Sequence, residues 1–279
     1  MNFLPRCAIV IPIYRTTPEP YEVISITNNL SVLQDHDIFL LHPRSLNLQP
    51  YLSLEKSTEK EFELLGIADE NFADIAAYNR LMMGGKVYDA FADYDYILIA
   101  QTDSYTFDDQ LGGWMLLDYD YIGAPWFQGF AMPISNQMIG VGNGGFSLRK
   151  VSVFQRATEL LESQLKEEIS IDTTSRLNMI FSQFDPAFDW KQYFTSGSLN
   201  EDLYFSFIAP QLFPEEAWTK PLPEEAAWFS FECNSEYLYN NVTDQNLPFG
   251  CHGWNKYSVD FWKKHISEIK SGSKLEGVL

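Results

Sequence analysis

A chain of 279 residues with 46% hydrophobic and 20% charged residues is globular rather than disordered, and long enough for one large domain or two small ones. Its 19 lysines and arginines stand against 38 acids, a formal net charge of −19, which excludes a surface built to track nucleic-acid phosphates. Three cysteines, Cys7, Cys233 and Cys251, lack C-x-x-C spacing and favour reduced thiols over a disulfide framework or a zinc site.

Residues 7–13, C-A-I-V-I-P-I, form an apolar run of strand length, read as the first strand of a buried sheet. Tyr14 and Arg15 lie at its carboxyl end, where open α/β sheets bind ligands. Residues 21–33 carry apolar positions at helical spacing, and residues 37–41 give another strand, ended by His42-Pro43. That is a β-α-β rhythm. Residues 71–91 read as helical, interrupted at Gly84-Gly85. Within them Tyr78, Asn79 and Arg80 set two polar groups beside an aromatic, which alone reads as a solvated face.

The stretch Y-D-Y-I-L-I-A-Q-T-D, residues 94–103, organises the chain. Ile97 to Ala100 read as a strand buried on both faces. It ends abruptly in Gln101, Thr102 and Asp103, so Asp103 is the first candidate for chemistry. Asp93-Tyr-Asp-Tyr-Ile97 recurs as Asp118-Tyr-Asp-Tyr-Ile122, two strands with similar polar entrances. Asp108, Asp109 and Gly112-Gly113 between them suggest a turn and a short helix.

Gly123-Ala-Pro-Trp126 and Gly140-Val-Gly-Asn-Gly-Gly-Phe-Ser-Leu-Arg-Lys150 follow. The second is neither a Walker loop nor G-x-G-x-x-G. Its glycines allow close backbone approach to a ligand, and Asn143 within them favours a binding loop over a plain turn. Residues 151–166 read as a surface helix and 167–199 as a variable, substrate-facing segment. Asn200-Glu-Asp-Leu-Tyr-Phe205 reads as a helix start, with Asn200 as cap and Glu201 and Asp202 where the helix dipole favours acids. Pro214-Glu-Glu-Ala and Pro223-Glu-Glu-Ala read as two proline-initiated turns or short helices, and Phe229 and Phe231 as core. His252 stands between Gly250 and Gly253 in F-G-C-H-G-W; a lone histidine is more often packed than ligating, although imidazole binds metals well. The tail from residue 256 reads as a lysine-containing helix, suited at most to weak attachment to a membrane surface. No charged and apolar leader pattern opens the chain and no run reaches membrane-spanning length, so a cytoplasmic protein is expected.

The ordered set Y-N-R-L-M-M, I-L-I-A-Q-T-D-S, D-Y-I-G-A-P-W, G-N-G-G-F-S-L-R-K, N-E-D-L-Y-F, A-A-W-F-S-F-E and F-G-C-H-G-W spans residues 78–254. It resembles a family of bacterial and fungal proteins read as glycosyltransferases and long catalogued as a domain of unknown function. The resemblance implies an α/β, GT-A-type Rossmann-like fold with a mixed central sheet flanked by helices. It implies one domain: residues 5–125 binding a nucleotide-diphosphate sugar, 126–255 holding the acceptor and catalytic groups, and 256–279 a tail.

It further implies donor contacts from Ile11, Tyr14, Arg15, Tyr78, Asn79, Arg80, Gln101, Thr102 and Asp103, and acceptor contacts from Trp126, Asn143, Gly144 and Gly145. Asp103 and His252 would hold Mn²⁺ or Mg²⁺, with Gln101 replacing the first acid of a D-x-D motif. Magnesium takes one or two carboxylates plus substrate phosphates, so one aspartate suffices, while imidazole leans towards manganese. Asp202 would be the base and Glu201 would orient the acceptor, a set with one base and no covalent nucleophile that implies inversion. The implied partners are a nucleotide-sugar donor and a saccharide or lipid-linked saccharide acceptor in bacterial surface-glycan assembly, with peripheral contact at the inner membrane face. A sugar nucleotidyltransferase would want a glycine-rich loop and a lysine after the first strand, and Ile11-Pro-Ile-Tyr-Arg-Thr-Thr has neither. A non-catalytic glycan- or nucleotide-sugar-binding homologue is the other reading, sustained by Gln101.

Overall fold

The structure is a computed structural model, and it describes residues 5–58, 60–166, 200–213 and 218–267. The expected rhythm is present. Strand β1 (Cys7–Pro12) leads into helix α1 (Pro20–Val32) and β2 (Asp37–Pro43), and β3 (Glu63–Ile67) and β4 (Tyr96–Ala100) follow. A short β5 (Ser104–Thr106) continues from β4. Then come β6 (Tyr121–Ile122), the hairpin β7 (Pro125–Phe127) and β8 (Met138–Val141), and β9 (Phe146–Lys150). β10 (Ser230–Phe231) and β11 (Gly250–His252) lie near the end.

The main sheet runs β3-β2-β1-β4-β9-β6. The pairs β3–β2, β2–β1 and β1–β4 are parallel, and β9 is antiparallel to both neighbours. This is the α/β class with a mixed sheet between helices. The chain steps from β1 to β2 on one side and returns to place β4 on the other, so strand order reverses between β1 and β4. A ligand crevice belongs at the carboxyl ends of those two strands.

Both faces of the sheet are covered, and the side-chain alternation of β1 shows it. Ala8 and Val10 join Ile97, Ile99, Phe154 and Phe205 in one core, while Cys7, Ile9 and Ile11 join Leu98, Ile26 and Leu30 in the other. Helix Val151–Lys166 supplies the first core from Val151, Phe154, Ala157 and Leu161, the apolar face of an amphipathic helix. The two Asp-Tyr-Asp-Tyr-Ile copies lie on either side of β9, with Tyr96 opposite Lys150 and Tyr121 opposite Arg149. A third core beneath the small sheet β10-β11-β5 gathers Tyr105, Phe231, Trp254 and Trp262.

Residues 71–91 do not form one helix. A 3-10 turn (Asp69–Phe72) precedes helix Ile75–Met82, and Gly84 separates it from helix Gly85–Ala90. Asp74 sets the new start, its carboxylate accepting from the Ala77 amide at 2.7 Å. At the helix opened by Glu201, Asn200 makes no side-chain capping bond; its Oδ1 accepts instead from Asn79 Nδ2 at 3.4 Å. Five residues of π-helix (Tyr204–Ile208) follow the single α turn Glu201–Leu203. The segment 167–199, residues 214–217 and the tail beyond 267 fall outside the described residues. Among those described, no helix is long and apolar enough to cross a membrane.

Replacing Asp74 with Ala removes the cap that begins the helix carrying Tyr78 and Asn79. Urea unfolding is expected to show a loss of about 1 kcal/mol with an unchanged slope.

Candidate active site

A cavity of about 550 Å³ opens where the sheet order reverses. Pro12 and Tyr14 after β1 and Gln101, Thr102 and Asp103 after β4 form one wall. Tyr78 and Asn79, the loop Asn143 to Gly145, the helix start Asn200 to Leu203, and His252 and Lys256 complete much of the rest. Thirteen of the residues expected at a site therefore meet at one place: Tyr14, Tyr78, Asn79, Gln101, Thr102, Asp103, Trp126, Asn143, Gly144, Gly145, Glu201, Asp202 and His252.

Three do not. Ile11 is fully buried and points into the core beneath α1, because alternate side chains of a doubly covered strand face opposite layers. Arg15 is turned outward onto Glu19 at 3.3 Å. Arg80, one helical step beyond Asn79, faces solvent.

At one end of the cavity Asp103 receives Lys256 Nζ on Oδ2 at 2.6 Å and lies 3.1 Å from His252 Nε2 through Oδ1. Glu232 Oε1 is 3.2 Å from the other ring nitrogen, Nδ1. Burial alone would raise the Asp103 carboxyl, but His252 and Lys256 outweigh it and hold the group well below the usual carboxylate range. Burial alone would lower the His252 imidazole. Asp103 and Glu232 instead push it up to about 10.

Whether these groups suit a divalent cation follows from their contacts. His252 Nε2 is buried, and its one near partner among the described residues is Asp103 Oδ1 at 3.1 Å, so a cation that displaced the ring proton would find two neighbouring ligands. No group of three or more His, Cys, Asp or Glu able to hold a metal occurs among the described residues. The pair therefore fits a cation that draws the rest of its shell from substrate phosphates, not an all-protein cage.

At the other end the buried Arg149 of β9 organises the acids. Its Nη2 donates to Glu201 Oε1 at 2.8 Å and to the Gly144 carbonyl at 3.4 Å, its Nη1 to Tyr88 at 3.0 Å, and its Nε to Ser147 at 3.0 Å. Glu201, expected to orient an acceptor, thus gives one oxygen to an internal counter-charge. Asp202 is half-buried and, among the described residues, has no cation beside it. Its oxygens accept from the Gly144 amide at 3.0 Å and the Leu203 amide at 2.8 Å. Burial first, and the Glu201 charge second, push its carboxyl up to about 7.

The loop between the two ends needs its sequence. Asn143 adopts a φ of 77°, which asparagine tolerates, and its Oδ1 accepts from the Gly145 amide at 2.7 Å. A Cβ on Gly144 would collide with Glu201 Oε1, and one on Gly145 with the His252 ring. Trp126 stacks on Phe207 at 5.5 Å and 19°, and presents an aromatic wall to the cavity.

Glu22, Glu232 and Lys256 also line the cavity and were not among the expected residues. Glu22 carried a readable signal, three residues beyond Glu19 at the start of a helix. It closes a capping box and accepts from Thr102 at 2.7 Å. Glu232 reaches His252 because β10 pairs with β11, and Lys256 reaches Asp103 through the turn at Gly253.

A profile of proteins of unknown function, DUF5672, matches residues 61–252, more than half the chain. The chain belongs to the DUF5672 family. No curated protein matches it. Among solved structures, this DUF5672 chain is similar to the galactosyltransferase LgtC in complex with donor and acceptor sugar analogs, at 13% identity over 95% of each chain with a TM-score of 0.49. It is also similar to the core-mannan synthase CmsA/Ktr4 of Aspergillus fumigatus in its Mn/GDP form, at 7% identity over 57% of this chain and 64% of that one, TM-score 0.44. The apo glycosyltransferase GlyE of Streptococcus pneumoniae TIGR4 aligns at 14% identity over 96% of this chain and 64% of that one, TM-score 0.44. With TM-scores below 0.5, these likenesses carry no argument about fold or chemistry.

Two outcomes follow from the acids. Glu201→Ala leaves Arg149 buried without a counter-charge, and chemical denaturation should show a loss of roughly 3–5 kcal/mol. Asp202 holds its proton more tightly folded than unfolded, so stability falls as pH rises from the ordinary value of 3.8 towards about 7. Asp202→Asn removes that fall. The variant should match the parent in stability near pH 4 and exceed it at pH 8, measured by urea unfolding at each pH.

Proposed function

We propose that this protein is a GT-A-type glycosyltransferase that moves a sugar from a nucleotide-diphosphate donor to a saccharide or lipid-linked saccharide, with inversion. The carrying observation is that one cavity holds Lys256, His252 and Asp103 together at one end and Asp202 at the other. A diphosphate needs the first and a hydroxyl nucleophile needs the second.

In this reading the diphosphate lies against Lys256, whose charge stabilises the negative charge that grows on the leaving group, while His252 in its neutral form is kept for the cation. Asp103 and His252 would hold Mn²⁺ or Mg²⁺, which when bound supplies further charge stabilisation to the phosphate oxygens. Tyr14, Gln101 and Thr102 border the same end and contact the donor. The acceptor hydroxyl, against the Trp126 wall, attacks the anomeric carbon while Asp202 takes its proton, and the bond to the nucleoside diphosphate breaks. A carboxyl pushed up to about 7 is matched to proton transfer near neutral pH. Glu201 serves as the partner of Arg149 that fixes where Asp202 stands. Surface-glycan assembly at the cytoplasmic membrane face is the setting this substrate class suggests.

Gln101 in the first acidic place of the D-x-D motif favours a second reading, a homologue that binds a nucleotide sugar or glycan without turnover.

Melting curves with UDP, GDP, CDP and dTDP nucleotides and sugars, each with Mn²⁺, Mg²⁺ or EDTA, test the donor site. One base should raise the melting temperature, more with metal than with EDTA. No shift from folded protein in any condition sinks the nucleotide-sugar reading. Asp202→Asn should keep the donor-induced shift and lose transfer by about a hundredfold or more. A protein with donor binding and no transfer in the parent supports the binding homologue instead.

A further inference from the structure

The cationic side chains among the described cavity-lining residues are His252 and Lys256, and both lie at the Asp103 end. The opposite end holds Asp202 and Glu201, and the guanidinium nearest them, Arg149, is buried behind Glu201 and paired with it. Three cavity-lining side chains there have polar atoms with no partner among the described residues: Tyr78 Oη, which can donate or accept, Asn143 Nδ2, a donor, and Glu201 Oε2, an acceptor. Asn143 is 1% exposed and Glu201 3%.

These atoms lie one loop away from the Lys256 end. Gly145 abuts His252 and Gly144 abuts Glu201, each so closely that a Cβ would collide. Residues 143–145 therefore span the distance from the Lys256 end, where the proposed diphosphate would sit, to Asp202.

We propose that the transferred sugar is uncharged, a neutral hexose or N-acetylhexosamine, seated by hydroxyls between Asn143 and Glu201, and that uronic acids, sialic acids and sugar phosphates are rejected as donors. A hydroxyl both donates and accepts, so it satisfies the Glu201 oxygen and the Asn143 amide together. A carboxylate only accepts. It would pair with the amide, leave the second Glu201 oxygen unsatisfied, and set a negative charge beside Asp202, which unlike Glu201 has no cation next to it among the described residues, in a partly desolvated pocket where like charges are costly. This assignment rests on the donor reading given above and moves Asn143 from the acceptor to the donor sugar.

Two donor pairs that share a nucleotide and differ at sugar C6 test it: UDP-glucose with UDP-glucuronic acid, and GDP-mannose with GDP-mannuronic acid. Calorimetric titration with Mn²⁺ and no acceptor should show the neutral member of the responding pair binding about tenfold or more tightly. Asn143→Asp keeps the side-chain shape and the oxygen that accepts from Gly145 while removing the donor. It should weaken UDP-glucose or GDP-mannose binding and leave UDP or GDP binding unchanged. Equal affinities within a pair, or an Asn143→Asp variant with parental affinity for the neutral donor, overturn the inference while nucleotide binding keeps the glycosyltransferase reading standing. Binding of neither series overturns both.

Discussion

The buried pair of Arg149 and Glu201 is the constraint on which the catalytic end depends. A fully buried guanidinium is tolerable only with a carboxylate at hydrogen-bond distance and its remaining donors occupied, and here Glu201, Gly144, Ser147 and Tyr88 fill those places. Because Glu201 is drawn inward, its successor Asp202 is left at the cavity wall with no cation beside it among the described residues. The Gly144 peptide takes part on both sides, its carbonyl accepting from Arg149 and its amide donating to Asp202. One ion pair in the core thereby sets the position of two acids, and among the described residues only the first has a counter-charge.

Sheet topology supplies the other half. The reversal of strand order between β1 and β4 opens a crevice at their carboxyl ends, and the antiparallel β9 returns the glycine loop to that crevice, where the Gln101 amide bonds the Gly145 carbonyl at 2.8 Å. The small sheet then brings β11 against β5, so that His252 pairs with Ser104 next to Asp103. The two ends of the cavity arise from these separate routes, the central strand with the C-terminal strand at one and β9 with the Glu201 helix at the other.

Much of this was legible in the amino-acid order because it is local. Asp103 ends an apolar run too short for a helix, and the glycines around Asn143 have no apolar reason to be there. What failed was phase and long-range register. β1 is apolar on both faces, so its alternation does not reveal that Ile11 belongs to the core and Tyr14 to the cavity. Helical spacing does not say which of Tyr78, Asn79 and Arg80 turn inward until the neighbour at Asn200 is in place. Glu232 and Lys256 escaped for the same reason. A two-residue strand and a turn bring them to the site, and their partners are far away in the chain. The expected substrate-facing segment, residues 167–199, lies outside the described residues.

Asp103 and Lys256 are 153 residues apart and meet directly at the cavity, within a pairing of strands from the middle and the end of the chain. The Lys256 end of the cavity therefore does not exist until almost the whole polypeptide has been threaded into place. Its occupancy is coupled to global rather than local order: a molecule that grips both groups acts on the chain as a reversible cross-link closing a very long loop. A chain holding only the first four strands lacks both Lys256 and His252, and with them the grip on Asp103.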